Sequence, residues 1–590
     1  MPSPARLRPF AAAAAALALL AASAAAQVRV ELDDPGEAYR VPKALLGANM
    51  IYTVETDQVR ALGARGGDEG RGALAEAARD AGLGLLRYPG GTAAQNFNWI
   101  TTQPLVPHRD AGARGLILTP RNLWRFAEAR RPEALMDFEE FARFARAVGA
   151  EPAVIVNLEG PFHSPGARIE GLDRYNATGL TCRPRRDPVG CYVKLAAEWV
   201  HEANIRLGLN IRYWDLGNES YGVANRHSFG AEEYAAVVRR FSEAMKAVDP
   251  SIRIGLIGPH EARGPGFVDR LTERGLARFR ALTQQERKRL QRAGGRRQRL
   301  DKIARDLNGG QDVSRPLRWW PMVLREARGA YDYAALHRLS DYGRSLGPNR
   351  QDLSRPVTLG AALVEFAEVS ARAAGAPVPV SVNAWTSVPA DAGNKDRLSP
   401  SGAYLTALEV LGQMAENEAD SAATWPFSHG VSKGIAQLRG GREGRPFRVR
   451  PGLMTVPHRD FSAFVGGRVM EAESGDDLVY VFAVRGPRAM EVMVLNKADR
   501  PRRVQVELPE PAAGPVRVAL VRGDALARRP GEGRASGRDL ALSAPPEAAV
   551  FATIPMGPDD GAASGGGGVS LFGIEIGGGD DGSAAPEVDR

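Results

Sequence analysis

The chain has 590 residues, well beyond the size at which a single hydrophobic core stops growing, so at least two domains are expected. Its 44% hydrophobic and 25% charged content is that of an ordinary soluble globular protein. A net charge of +8 over this length is too dilute to imply nucleic acid as a partner, although it would tolerate an anionic glycan.

Residues 1–26 read as an export signal. Arg6 and Arg8 precede an apolar run at 10–20, and Ala24, Ala25 and Ala26 give a small-residue cleavage pattern. The apolar stretch is short for a membrane anchor, and no later segment is long and apolar enough to span a bilayer. The mature chain is expected to begin near residue 27 and to be secreted or periplasmic. Residues 27–44 include VRVELDD, a strand that could join a later sheet.

From 45 to 430, short apolar strands alternate with amphipathic helices. The strand candidates are LLGANMIY (45–52), GLLRYPGG (84–91), PAVIVNL (152–158), IRYWDLGN (211–218), IRIGLIGP (252–259), YDYAALH (331–337), VPVSVNAW (378–385) and SAATWPF (421–427). Continuous apolar runs suit parallel strands buried on both faces. Helical patterns lie between them, as at 136–149 and 231–248. Eight such strands predict an α/β fold, a (β/α)8 TIM barrel, whose chemistry sits at the C-terminal ends of the strands. Cys182 and Cys191, the two cysteines of the chain, fall in one loop-like stretch and are expected to form a disulfide in an oxidising compartment. An insertion at about 263–318 is helical and strongly basic. It reads either as an arm for an acidic polysaccharide or as a solvated hairpin on the barrel rim. From 431 to 556, short alternating segments parted by Gly, Pro and Asp predict a C-terminal antiparallel β-sandwich. The Gly- and Asp-rich stretch 557–590 reads as a disordered tail, with VSLFGIEIG as an apolar island of no assigned role.

The chemically informative segment is Tyr213-Trp214-Asp215-Leu216-Gly217-Asn218-Glu219. An apolar strand ends by delivering a carboxyl group beside an amide, the pairing glycoside hydrolysis uses to protonate a leaving oxygen while holding the sugar 2-hydroxyl. A strand-end glutamate in a surface salt bridge is the structural alternative. YWDLGNE resembles the fourth strand of the retaining clan A barrel glycosidases, most closely the family 51 α-L-arabinofuranosidases. Arg87-Tyr88-Pro89-Gly90-Gly91, with Asn96, Asn98 and Trp99 behind it, resembles their second strand. The 331–337 segment, ending in His337, resembles their sixth strand, and VMVLNKADRPRRVQVEL resembles the sandwich that follows their barrel.

The resemblance implies Glu219 as general acid/base and Asn218 as the 2-hydroxyl partner. Asn49, Arg87, Asn98, Trp99, His337, Asn383, Trp385 and Trp425 are candidates for substrate binding. Arg87 reads equally as a salt bridge inside the barrel, His337 as a core histidine, and each tryptophan either as a stacking face for a sugar ring or as core.

One departure cuts against the family mechanism. Where the resemblance places a nucleophilic glutamate directly before a tryptophan, this chain has Ala384 before Trp385, and the substrate-binding glutamate of the first strand is replaced near Ile51. A methyl group cannot attack an anomeric carbon. Three explanations stand: a nucleophile from elsewhere, with Asp391, Glu365 and Glu368 as candidates; inverting or substrate-assisted chemistry; or a barrel that kept its cleft and lost turnover. Phosphate-cradling, dinucleotide, serine-hydrolase and zinc-protease motifs are absent from the sequence, so neither metal nor cofactor is expected. The leading expectation is hydrolysis of a glycosidic bond in a polysaccharide or oligosaccharide. The alternative is an inactive carbohydrate-binding barrel serving polysaccharide recognition, assembly or export.

Overall fold

A computed structural model describes residues 27–557, apart from 35–38, 53–71, 105–134, 164, 224–226, 284–285, 288, 291–296, 340–343, 348–349, 354–356, 388–398, 429–433 and 440–447. The expected signal segment, almost all of the expected tail and Asp391 lie outside the described residues. No described helix is long and apolar enough to cross a membrane.

Eight parallel strands close into a barrel: β2 (Gly47–Asn49), β3 (Leu85–Tyr88), β4 (Glu151–Val156), β5 (Tyr213–Leu216), β6 (Arg253–Pro259), β7 (Tyr333–Leu339), β8 (Val380–Thr386) and β9 (Ser421–Thr424). They pair in chain order, and β9 closes the ring on β2. Each falls inside one of the eight apolar runs read from the sequence or overlaps it closely. Their alternate residues serve two layers. Val154, Trp214, Leu216, Ile254, Leu256, Leu336 and Val382 point outward to the helical ring. Leu85, Ala153, Tyr213, Ile257, Tyr333 and Ala335 fill the barrel interior, as a packed barrel core requires.

The helices between strands are α1 (Ala73–Asp80), α2 (Phe138–Ala147), α3 (Pro188–Val200) and α4 (Ala231–Val248), then α5 (Glu273–Ala281), α6 (Arg297–Leu307) and α7 (Trp319–Glu326), then α8 (Leu359–Ala374) and α9 (Pro400–Glu416). Local sequence fixes several starts. Asp137 and Glu140 form a reciprocal capping box on α2, and Ser399 caps α9 just before Pro400 at its first turn. The helices α5 and α6 carry the basic insertion. They have a small core of their own, in which Phe279 and Ala304 meet Phe267, Val268 and Val223. Because Val223 lies just beyond β5, the insertion packs beside the segment that carries Glu219.

Behind the barrel stands one ten-stranded sheet folded over itself. The strand β1 (Gln27–Asp33) sits in its middle, antiparallel to β10 (Arg468–Ser474) and parallel to β11 (Arg502–Glu507). Val30, Leu32, Val504 and Leu542 on one side face Val481, Val492, Val494 and Val550 on the other, which makes the domain a sandwich. A buried ion pair joins it to the barrel: Lys497 Nζ lies 2.9 Å from Glu409 Oε1 on α9. Replacing Lys497 with alanine strands that carboxylate, and a loss of about 3 kcal/mol in unfolding free energy is expected by urea denaturation. A loss below about 1 kcal/mol would show that water reaches Glu409.

Candidate functional site

The polar layer at the C-terminal ends of the strands is built around Arg87. A fully buried guanidinium needs an anion, and Asp215 on β5 supplies it, with Oδ2 2.5 Å from Arg87 Nε. Asp215 also accepts from Asn383 Nδ2 at 2.6 Å and from the Tyr333 hydroxyl at 2.7 Å. Arg87 Nη1 donates to Asn49 Oδ1 at 3.0 Å and, weakly, to Asn218 Oδ1 at 3.5 Å. Asn49 Nδ2 in turn donates to the carbonyls of Asn383, Ala423 and Thr424, tying β2 to the two preceding strands of the ring. Three candidates for sugar contact, Arg87, Asn49 and Asn383, therefore belong to one buried network.

Glu219 follows β5 through a tight turn. Gly217 has φ +88°, and a Cβ there would come 2.6 Å from Ser220 Oγ, so glycine is required on both counts. Glu219 itself sits at φ +50°, a left-handed conformation that costs a non-glycine residue roughly 1–3 kcal/mol and persists where its surroundings over-determine it. Its side chain is 27% exposed, and Oε1 lies 3.4 Å from His337 Nδ1. Burial pushes the carboxyl pKa up, but the bond and charge of His337, together with the Arg87 cation, outweigh it and hold the group below the ordinary carboxylate value. The resting site thus holds Glu219 as a carboxylate. His337 Nε2 and Arg87 Nη2 are buried without a hydrogen-bond partner.

The register of β7 against β8 slips by one residue, so that Val382 faces Leu336 while Ala384 faces His337. Such a bulge re-aims side chains. It sets the methyl of Ala384 beside His337, where a carboxylate would be needed for double displacement. Glu365 and Glu368 lie on α8 in the outer ring, where they pair with Arg263 at 3.1 and 3.0 Å. That placement removes both as nucleophile candidates.

The tryptophans divide. Trp99 is buried, donates its indole N–H to the Leu195 carbonyl at 2.9 Å and stacks on Trp199, so it is core rather than a sugar platform. Trp385 is fully buried against His458 and is core for the same reason. Trp425 is only partly buried, and its ring covers the Pro-Gly-Gly turn so closely that a Cβ on Gly91 would lie 2.9 Å away. Asn98 is buried and pins its loop, donating to the Glu170 carbonyl at 3.1 Å. The cysteines Cys182 and Cys191 are joined in a disulfide.

Sequence reasoning missed Glu159, which follows β4 with no exposure at all. It accepts from Gln95 Nε2, and the same amide nitrogen donates to the backbone carbonyl of Asn218. His163 Nε2 lies 3.3 Å from its other oxygen. The signal is in the sequence: VIVNLEG ends an apolar run with a carboxylate, as YWDLGNE does.

No family model matches the chain. Alpha-L-arabinofuranosidase C of Emericella nidulans is 28% identical over 183 residues, 31% of each chain. An intracellular exo-alpha-(1->5)-L-arabinofuranosidase of Halalkalibacterium halodurans is 30% identical over 192 residues, 31% of this chain and 32% of the relative. The chain resembles the family 51 arabinofuranosidases. The match spans about a third of the length of these curated relatives. Among solved structures, the family 51 arabinofuranosidase from Xanthomonas axonopodis pv. citri aligns with a TM-score of 0.59 at 14% identity, covering 90% of this chain and 99% of that one. The Thermotoga maritima alpha-L-arabinofuranosidase gives 0.57 at 15% identity, covering 90% and 100%. A Paenibacillus polymyxa xyloglucanase from family 44 gives 0.57 at 13% identity over the same shares. These structures share the barrel with its β-rich C-terminal domain.

Proposed function

We propose that the protein is an exported glycoside hydrolase acting on a polysaccharide or oligosaccharide, with Glu219 as its general acid/base. The observation that carries this reading is the strained, partly exposed Glu219 carboxylate at the barrel mouth, held by His337 and Arg87 beside Asn218. A sugar bound over Glu219 would exclude water and part it from His337. Both effects raise the carboxyl pKa and equip the group to take up and pass on a proton. In this reading the Asn218 amide would meet the 2-hydroxyl and the partly buried Trp425 ring would stack on the sugar.

With Ala384 at the nucleophile position, the second step needs a water or a group of the substrate itself, so an inverting or substrate-assisted course is the form the proposal takes. A second reading, a carbohydrate-binding barrel without turnover, is favoured by one specific observation: Asp215 and Glu159, carboxylates close to Glu219, are both fully buried. A panel of chromogenic glycosides and a glycan array, run on the chain from residue 27 onward, separate the two. Release of reducing sugar supports hydrolysis, retention without release supports binding, and neither result sinks both.

A further inference from the structure

The turn that carries Glu219 is clamped from an unexpected side. Its backbone is left-handed at Glu219 and follows a left-handed Gly217, so neighbouring groups must hold it there. Part of the hold is local: the Gly222 N–H donates to the Glu219 carbonyl at 2.7 Å and the Phe229 N–H to the Ser220 carbonyl at 2.9 Å. The rest converges on Glu159. Gln95 joins the Glu159 carboxyl to the Asn218 carbonyl, one amide nitrogen donating to both. Asn218 directly precedes Glu219, so one buried side chain reaches the turn through a single bridging amide.

We propose that Glu159 is a positioning residue for Glu219, fixing the direction of its carboxylate by holding the Asn218 carbonyl, one residue before it, through Gln95. The inference rests on the reading of Glu219 as the working carboxylate.

The clamp has a protonation state. The groups facing Glu159 are Gln95 from the turn after β3, His163 from its own segment, Ser220, Glu219 and His227 from the loop after β5, and Arg287 from the basic insertion. Burial pushes the Glu159 carboxyl well above its ordinary range and the Glu219 charge adds to this. Polar groups of the loop after β5 and the Arg287 cation pull the other way without cancelling it. Glu159 and Glu219 are thus pushed apart, one toward the neutral acid and the other toward the carboxylate, and the repulsion of two adjacent anions is avoided. Because the folded-state pKa of Glu159 is raised, its contribution to stability is full below the unfolded value and is lost as pH climbs through the folded one.

The experiment compares wild type, Glu159→Gln and Glu159→Ala in two arms. Glutamine keeps the shape and neutrality of the acid and cannot ionise. In thermal unfolding from pH 5 to 9, the melting temperature of Glu159→Gln is expected to gain on wild type by a few degrees as pH rises. A gap independent of pH overturns the protonation assignment, whether or not any glycan is ever cleaved. The second arm follows the titration of the Glu219 carboxyl by 13C NMR on protein labelled at glutamate Cδ, with the signal assigned by its loss in Glu219→Gln. Glu159→Ala is expected to move that titration by about one pH unit and Glu159→Gln by less than about half of that. If alanine leaves it unmoved, Glu159 is merely structural. Should the alanine variant fail to fold, Glu159→Asp, one methylene short of Gln95, takes its place with the same expected shift.

Discussion

Glu219→Gln is expected to lower glycoside hydrolysis by about 10²–10⁴-fold while leaving glycan retention within about threefold of wild type. That loss corresponds to roughly 2.7–5.4 kcal/mol at 1.36 kcal/mol per decade. The substitution is conservative in shape, and the side chain is partly exposed, so the fold has no reason to fail. A glutamine oxygen still accepts from His337, and the Asn218 amide and Trp425 ring are untouched. What disappears is a group able to pass a proton, together with the negative charge that Arg87 attracts. Because His337 and Arg87 depress the folded-state pKa of Glu219, its contribution to stability is present above the unfolded carboxylate value and lost as pH falls through the folded one. Wild type should therefore be more acid-sensitive than the glutamine variant. Hydrolysis at the wild-type rate in Glu219→Gln would take position 219 out of the chemistry and leave the carbohydrate reading without its carrier.

The contrast between what could be read early and what could not follows from range. Barrel strands are legible because burial on both faces demands unbroken apolar runs, and eight such runs with helices between them admit few other folds. Glu219 and His337 are legible as polar residues that end two of those runs, and they meet across the mouth. Asn383 is also a strand-end polar residue, yet it points into the barrel at Asp215, on the same face as Ser381, and the buried ion pair that claims its amide is not legible in any local pattern. Trp99 looks like a platform in sequence but is folded back against Trp199 by contacts a hundred residues away. Glu159 is the instructive miss. Its importance comes from Gln95 and, through it, the Asn218 carbonyl, both on other elements, and that meeting is not visible until the barrel closes.

The second large effect concerns the layer beneath Glu219. Arg87→Ala is expected to cost about 3–5 kcal/mol, because it leaves Asp215 charged, fully buried and held only by the neutral donors Asn383 and Tyr333. Against a typical total of about 5–15 kcal/mol this is a large share, readable as a fall in the melting temperature of roughly 6–20 °C. Arg87→Lys should recover only part of it. The guanidinium spends Nε on Asp215 and Nη1 on Asn49, two directions that one ammonium group cannot serve together. Pairing Arg87→Met with Asp215→Asn should cost less than Arg87→Ala alone, since no unpaired ion then stays buried. A loss under about 1 kcal/mol for Arg87→Ala would mean that water enters the layer and screens Asp215. The same substitution also reaches the site above. With the cation gone, the Glu219 pKa must rise, so wherever Arg87→Ala or Arg87→Met stays folded, the Glu219 titration should move to higher pH, coupling the barrel's buried ion pair to the proton that Glu219 handles.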